Sequence, residues 1–284
     1  MQEHIKKSII GIALLFISAI VFGQKTSKID PWFFIQITDP QFGMFENNEG
    51  FEQETFIYEK AVDAINKLNP DFVVITGDFV HNRNSEEQIN EFKRITAMID
   101  SKIPVYYTPG NHDVGQTPDE KSLEKYKDNY GPDRFSFTHK GSSFIGFNTS
   151  LIKAQLLDLE RIQLTWLTQK LQESQHADHI ILFCHYPFFI KTFDEPDSYS
   201  NITFSDRDLY LKLFDKFNVN AIFSGHLHNN AYGKYGEIQL VTTSALGKPL
   251  SKAPSGMRII KIYDNEIEHD FYGIDELPKI VEFR

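Results

Sequence analysis

Eight short apolar runs recur along this chain, and few folds can use them all. They are Phe33 to Thr38, Phe72 to Thr76, Val105 to Thr108, Ser143 to Asn148, Ile180 to Cys184, Ala221 to Ser224, Ile238 to Thr242 and Met257 to Tyr263. Several are apolar at nearly every position rather than at alternate ones. That pattern suits strands covered on both faces, not a sheet with one wet side. Between the runs lie stretches with a single apolar face: Ile57, Ala61, Ile65 and Leu68; Ile89, Phe92, Ile95 and Met98 or Ile99; Leu164, Leu167 and Leu171 with Trp166 beside them; and Leu209, Leu213 and Phe217. Those spacings predict helices lying on a sheet. Asp264-Asn265 reads as a turn between two strand-like runs. Strands alternating with helices predict a layered α/β fold with much parallel pairing.

The first 23 residues do not share this pattern. Lys6 and Lys7 precede Ser8 to Phe22, an uncharged and mostly apolar run of 15 residues, and Gly23-Gln24 offers a small residue for cleavage. The run is short for a spanning helix and has the order of a signal peptide. The chain is therefore expected to divide into a signal peptide (1–23), a lead-in segment (24–33), one domain (34–275) and a C-terminal tail (276–284). The expected location is outside the cytoplasm, periplasmic or secreted, without stable membrane association once the signal is cleaved. An uncleaved N-terminal anchor is the alternative.

The formal net charge is −10, and it becomes −11 without residues 1–23. An acidic surface repels phosphate backbones, so nucleic acid is not an expected partner. A phosphate ester can still bind where metal cations reverse the local sign. The single cysteine, Cys184, precludes an intrachain disulfide and lies in an apolar run, as a packed free thiol would. Asn148-Thr149-Ser150 and Asn201-Ile202-Thr203 match the N-glycosylation pattern.

Five polar clusters each follow an apolar run: Asp39-Pro40-Gln41, Gly77-Asp78, Gly110-Asn111-His112-Asp113, His185, and Gly225-His226-Leu227-His228. Singly, each is an ordinary turn composition. Together they place carboxylate, amide and imidazole groups at five strand ends, where ligands bind in parallel sheets. Such a set of oxygen and nitrogen donors suits divalent metals.

In order and spacing these residues resemble the calcineurin-like metallophosphoesterase superfamily, whose pattern runs D-x-H, G-D, G-N-H-[DE], H, G-H-x-H. The resemblance spans about residues 34 to 263. It implies a β-sandwich flanked by helices, in four layers αββα, with two divalent metal ions (manganese, iron, zinc or magnesium) at the strand ends. Carried over, it implies that Asp78 bridges both ions, that Asp39, Gln41 and His228 complete the first site, and that Asn111, His185 and His226 complete the second. His112 would meet the phosphate or leaving group, and Asp113 would orient its loop. The chain departs from the pattern at Gln41, where the family usually has His. A neutral amide oxygen is a harder donor than imidazole, so the first site should hold its metal less firmly and disfavour iron. With that departure, the motifs are similar to the branch called calcineurin-like phosphoesterase domain-containing protein 1, regarded as phosphatases of phosphoserine and phosphothreonine.

The resemblance implies hydrolysis of a phosphate ester, small-molecule or phosphoprotein, by a metal-bridging hydroxide, with phosphomonoesterase first and phosphodiesterase second. A non-catalytic metal- or phosphate-binding protein with a weakened first site is the competing class. His112 and the other retained positions argue against it. Gly77-Asp78 lacks the continuation G-D-x-x-D-R-G of phosphoprotein phosphatases proper. His81 stands where purple acid phosphatases place a metal-binding Tyr. His81 and Arg83 could contact substrate, and the segments Phe42 to Phe51 and Pro187 to Ser205 could form its wall.

Overall fold

The computed structural model describes residues 30–284, so the expected signal peptide and most of the lead-in lie outside the described residues. The elements run β1 (Trp32–Ile37), α1 (Glu52–Leu68), β2 (Val73–Thr76), α2 (Glu86–Thr96), β3 (Val105–Thr108), α3 (Asn111–Val114), α4 (Glu120–Tyr130), β4 (Phe135–His139), β5 (Ser142–Gly146), α5 (Thr149–Lys153), α6 (Leu157–Glu173), β6 (Ile180–Phe183), α7 (Phe204–Lys216), β7 (Ala221–Ser224), β8 (Ala231–Tyr235), β9 (Ile238–Thr242), β10 (Gly256–Ile262) and β11 (Ile267–Gly273). All eight apolar runs hold strands. Among the described residues no helix is long and apolar enough to cross a membrane.

The strands form two sheets, in the orders β11-β10-β1-β2-β3 and β4-β5-β6-β7-β9-β8. In the first, β1, β2 and β3 are parallel, β10 runs against β1, and β11 runs against β10. In the second, β5, β6, β7 and β9 are parallel, with antiparallel β4 and β8 at the edges. Parallel pairing thus fills the part of each sheet that carries the polar clusters, and antiparallel strands close the rest. β4 and β8 are not among the apolar runs because their residues are alternately half-buried and exposed. Edge strands need only one covered face.

Three apolar layers explain why the strands read as continuous runs. Between the sheets lies a largely aromatic layer of Phe34, Phe72, Phe144, Phe183, Phe223 and Trp32, with Val74, Ile181 and Ile260. Phe34 stacks on Phe72 at 4.7 Å and meets Phe144, Phe183 and Phe223 edge-on. The outer face of the first sheet is covered by α1 and α2 through Ile57, Ala61, Ile65, Ile89, Phe92 and Ile95. The outer face of the second is covered by α6 and α7. The result is the expected helix–sheet–sheet–helix stack. One helix face differs from expectation: α7 buries Tyr210, Leu211 and Phe214, while Leu209 is half exposed. Leu213 and Phe217 of the expected face do pack on this core, partly buried, while the centre of the buried face is shifted to Tyr210, which donates to the buried Glu160.

β1 begins at Trp32, inside the lead-in, and Leu277 and Val281 of the tail pack on the first outer layer. Both glycosylation-type asparagines are buried. Asn148 exchanges backbone hydrogen bonds with Gln163, and Asn201 donates to Glu195.

Phe34 is fully buried at the centre of the inter-sheet layer. Phe34→Ala is expected to cost about 3–5 kcal/mol in urea unfolding, whereas Phe56→Ala, at a position 67% exposed, should stay within about 0.5 kcal/mol of the parent. Equal effects would contradict this layering.

Candidate active site

Both sets of parallel strands end on the same side of the sandwich. Asp39 and Gln41 follow β1, Asp78 follows β2, and Asn111 and His112 open α3 after β3; His185 follows β6, and His226 and His228 follow β7. Every sequence-predicted ligand is therefore brought to one place, three loops from one sheet and two from the other. Asp39, Gln41, Asp78, Asn111, His185, His226 and His228 are all buried, and His112 is half-buried beside them.

Glycines allow the loops to approach this closely. A side chain at Gly77, which has φ +88°, would meet His185 Nδ1 and the backbone of Gly110. One at Gly225 would meet Thr38 Oγ1 at 1.9 Å. Five site residues that are not glycine also take left-handed backbone: Asp39 (φ 50°), Gln41 (40°), Asp78 (51°), His226 (71°) and His228 (50°). Each costs on the order of 1 kcal/mol, and inter-loop hydrogen bonds hold them. Asp39 N–H donates to Gly77 O at 3.1 Å, Gln41 N–H to Asp78 O at 2.9 Å and Gly247 N–H to Asp39 O at 3.0 Å.

Asp113 ties the loops together. Its carboxylate accepts the N–H groups of Asp78, Phe79 and Gly110, each at 2.8 Å. Burial and the Asp78 carboxylate push its pKa up to about 8, but all three neighbours are donors, which favours the ionised form. A cation beside Asp78 would remove the opposing charge.

The histidines are oriented by carbonyls. His185 Nδ1 donates to Thr76 O at 2.8 Å, His228 Nδ1 to Lys248 O at 2.5 Å and His112 Nδ1 to His81 O at 2.8 Å. Such a bond fixes the tautomer and turns Nε2 toward the cluster. Asp39 is similarly divided. Its Oδ2 lies 2.6 Å from the Thr38 hydroxyl and 3.0 Å from His226 N, leaving Oδ1 as the free oxygen. Thr38, invisible as a site residue in sequence, thus aims Asp39.

The residues fit divalent cations on two grounds. First, the buried atoms Asp39 Oδ1 and Gln41 Oε1 have no hydrogen-bond partner, a costly arrangement unless something else satisfies them. Second, the spacing is right. Two donors bound at about 2.1 Å to one cation stand roughly 3.0–3.4 Å apart. His185 Nε2 lies 3.2 Å from Asn111 Oδ1, 3.3 Å from His226 Nδ1 and 3.2 Å from Asp78 Oδ2. His228 Nε2 lies 3.3 Å from Asp39 Oδ1. Two groups could each hold an ion, Asp78–His185–His226 and Asp39–Asp78–His228, with Asp78 common to both.

The electrostatics agree. Burial alone would raise both aspartates, yet His228 and His185 hold Asp39 low, and His185 and His112 hold Asp78 low. Burial opposes charge on His185, but Asp78 and Asp39 raise it to about 9. His226 is pushed down to about 3 by burial and by His185. The centre draws positive charge to itself. Beside it, burial and the His112 ring lower the proton affinity of His81.

Two further residues shape the mouth. Tyr199, from the Pro187–Ser205 segment, packs on His226 at 5.0 Å between ring centroids and accepts from Gln116 Nε2 at 3.0 Å. Its loop is anchored from within by Glu195, which accepts the N–H groups of Ile190 and Lys191, and by buried Arg207, which donates to Glu195 O and Ile202 O. In the sequence this segment was marked by its length, its place after His185 and its content of Phe, Tyr and Asp. The Phe42–Phe51 segment instead packs its rings inward, with Phe42 fully buried and Glu54 accepting the Phe45 N–H.

The sequence profile of calcineurin-like phosphoesterases matches residues 34–230. The serine/threonine-protein phosphatase CPPED1 of Rattus norvegicus is 37% identical over 88% of this chain and 86% of its own. That of Danio rerio is 32% identical over 88% of this chain and 87% of its own. Among solved structures, a dimetal phosphatase from Danio rerio superposes with a TM-score of 0.60 at 14% identity, over 86% of this chain and 100% of that one. A purple acid phosphatase from yellow lupin superposes with a TM-score of 0.61, also at 14% identity, over 87% of this chain and 52% of that one. These two structures share the fold.

Ligand-stabilised folding checks the cation fit. Mn²⁺ at about 100 times its Kd should stabilise the protein by about 2.7 kcal/mol, or roughly 5–10 °C in Tm for a domain of this size. Asp78→Ala should abolish the shift in differential scanning fluorimetry; an undiminished shift would place the ion elsewhere.

Proposed function

The chain belongs to the calcineurin-like phosphoesterase family, a phosphatase acting on phosphoric esters, and from that premise we propose that it removes phosphate from phosphoserine and phosphothreonine using two divalent cations. The observation that carries this reading is the pair of ligand groups sharing Asp78, one of them containing Asp39, whose buried Oδ1 has no hydrogen-bond partner. The relatives named as serine/threonine phosphatases support the substrate class. Asp39, Gln41, Asp78 and His228 would hold one ion, and Asp78, Asn111, His185 and His226 the other. Mixed oxygen and nitrogen donors suit manganese. We further propose export, in keeping with the apolar segment after Lys6 and Lys7.

Bound divalent ions would polarise the phosphoryl oxygens and bring the pKa of a coordinated water toward neutrality. The chain supplies the rest. His112 is fixed from two sides, its N–H donating to Asp78 Oδ1 at 2.7 Å and its Nδ1 to His81 O. Its Nε2 is left for proton traffic at the cleft. In hydrolysis the P–O ester bond breaks, water supplies the new oxygen on phosphorus, and a proton from His112 Nε2 goes to the departing serine or threonine oxygen. The ring regains a proton from the consumed water. The bonds from His185 and His228 to backbone carbonyls keep the ligand set rigid, so little reorganisation accompanies the reaction. Tyr199, exposed at the mouth on an anchored loop, offers an aromatic surface to the chain flanking the phosphorylated residue.

Turnover of para-nitrophenyl phosphate, its bis-ester and a phosphoserine peptide, with and without Mn²⁺, tests this. The monoester and peptide should be hydrolysed faster than the bis-ester. His112→Ala should lower kcat by about 10²–10⁴ and Asp78→Ala should remove activity, while activity that survives both substitutions or metal stripping sinks the reading. Tyr199→Ala should raise KM for the peptide and leave kcat on para-nitrophenyl phosphate nearly unchanged; equal KM changes on both would assign Tyr199 to the phosphate itself.

A further inference from the structure

The family pattern has a histidine where this chain has Gln41. A glutamine amide has two ends of nearly equal size. Only its oxygen can ligate a cation; its NH₂ group can only donate. A glutamine at this position therefore works only if something decides which end faces the carboxylates.

We propose that His81 is a positioning residue that fixes the Gln41 amide with its oxygen turned into the Asp39–Asp78–His228 cluster. Gln41 Nε2 lies 3.3 Å from His81 Nδ1, and Gln41 Oε1 is buried with no hydrogen-bond partner. The amide nitrogen is a donor, so Nδ1 must present its lone pair and the ring proton must sit on Nε2. The opposite tautomer would favour the flipped amide, with Oε1 on the ring and NH₂ pointed at the cation. The ring cannot drift from this task. His81 N–H donates to Phe42 O at 2.9 Å, and Phe42 N–H donates to Phe79 O at 3.1 Å, so the backbone at 81 is pinned to the residue after Gln41. On its other side the His81 ring lies against His112, 4.9 Å between centroids and 19° from parallel. One residue thereby aims a ligand with its side chain and the His112 imidazole with its carbonyl.

This inference rests on the two-cation reading, and the test separates them. Mn²⁺ binding is measured by titration calorimetry on the parent, His81→Phe, Gln41→His, and the double variant; Phe keeps the ring against His112 but removes the acceptor. In the parent background His81→Phe should weaken one of two Mn²⁺ sites by about tenfold or more, the usual scale for losing a residue that orients a ligand. In the Gln41→His background the same change should alter that site by less than about twofold, because an imidazole ligand has no amide to orient. His81→Leu repeats the cycle with a smaller side chain. Equal losses in both backgrounds would make His81 a ligand or a structural prop, and no loss in the parent would remove its role; either overturns the proposal while leaving the two-cation site standing. A parent that binds fewer than two Mn²⁺ ions overturns the reading beneath it.

Discussion

Asp39 and Asp78 are buried carboxylates within one cluster, and the rest of the site can be understood as the means of keeping them there. Two buried negative charges side by side repel, and neither is tolerated without positive charge or donors nearby. The chain supplies both kinds of relief. Thr38 and the His226 N–H hold Asp39, and the His112 N–H holds Asp78. Imidazoles from the opposite sheet bring the positive charge, His185 beside Asp78 and His228 beside Asp39. Under the two-cation proposal, the His185 and His228 imidazoles that compensate the carboxylates would give up a proton and ligate the cation. These donors and imidazoles are why burying the two charges is compatible with a stable fold.

That arrangement needs two sheets to end at one level. The aromatic layer between them sets this registration, since Phe34 of β1, Phe72 before β2, Phe144 of β5, Phe183 of β6 and Phe223 of β7 interlock. A buried polar bridge continues it toward the site. Gln36 donates to Thr76 Oγ1 at 2.9 Å and to Ser224 O at 3.1 Å, joining β1, β2 and β7 just beneath the ligand loops. Thr243 donates to Gln36 Oε1 at 2.6 Å and accepts from the fully buried Arg258 at 2.8 Å, which also donates to Asn230 at 2.7 Å, two residues beyond His228. Polar groups in such a place must be fully paired or they cost stability. Their pairing fixes how the two halves of the site face one another.

Much of this was legible in the sequence, for reasons particular to each part. The apolar runs announced strands because both faces of each inner strand are covered. Three of the five ligand motifs, Gly77-Asp78, Gly110-Asn111 and Gly225-His226, announced themselves by a glycine beside the functional residue, where a tight turn demands one. What could not be read was anything depending on which elements meet. β4 and β8 have ordinary alternating patterns, and only pairing makes them edges. Leu213 and Phe217 pack at the margin of the core and Leu209 outside it, because Tyr210, Leu211 and Phe214 take the centre of the buried face. Asn148 and Asn201 look like exposed turn residues until Gln163 and Glu195 bury them. Gln41 read as a weakness because its partner lies forty positions away on another loop.

Backbone strain shows where the chain accepts cost for chemistry. Among the described residues outside the site, four of the six left-handed positions not held by glycine are Asn, at 47, 48, 69 and 218, the residue type that adopts this conformation most cheaply. Inside the site they are Asp, Gln and His. A turn that only has to reverse the chain can use Asn or Gly. A turn that must also swing a ligand back over the end of its own strand cannot, because the residue at the reversal is the ligand. At Gln41, His226 and His228, substituting glycine would relax the backbone and delete the proposed metal donor together. The stability that offsets the strain has to come from elsewhere in the molecule, and the ligand loops are tied to the first outer apolar layer through the buried Phe42, Phe79 and Val114.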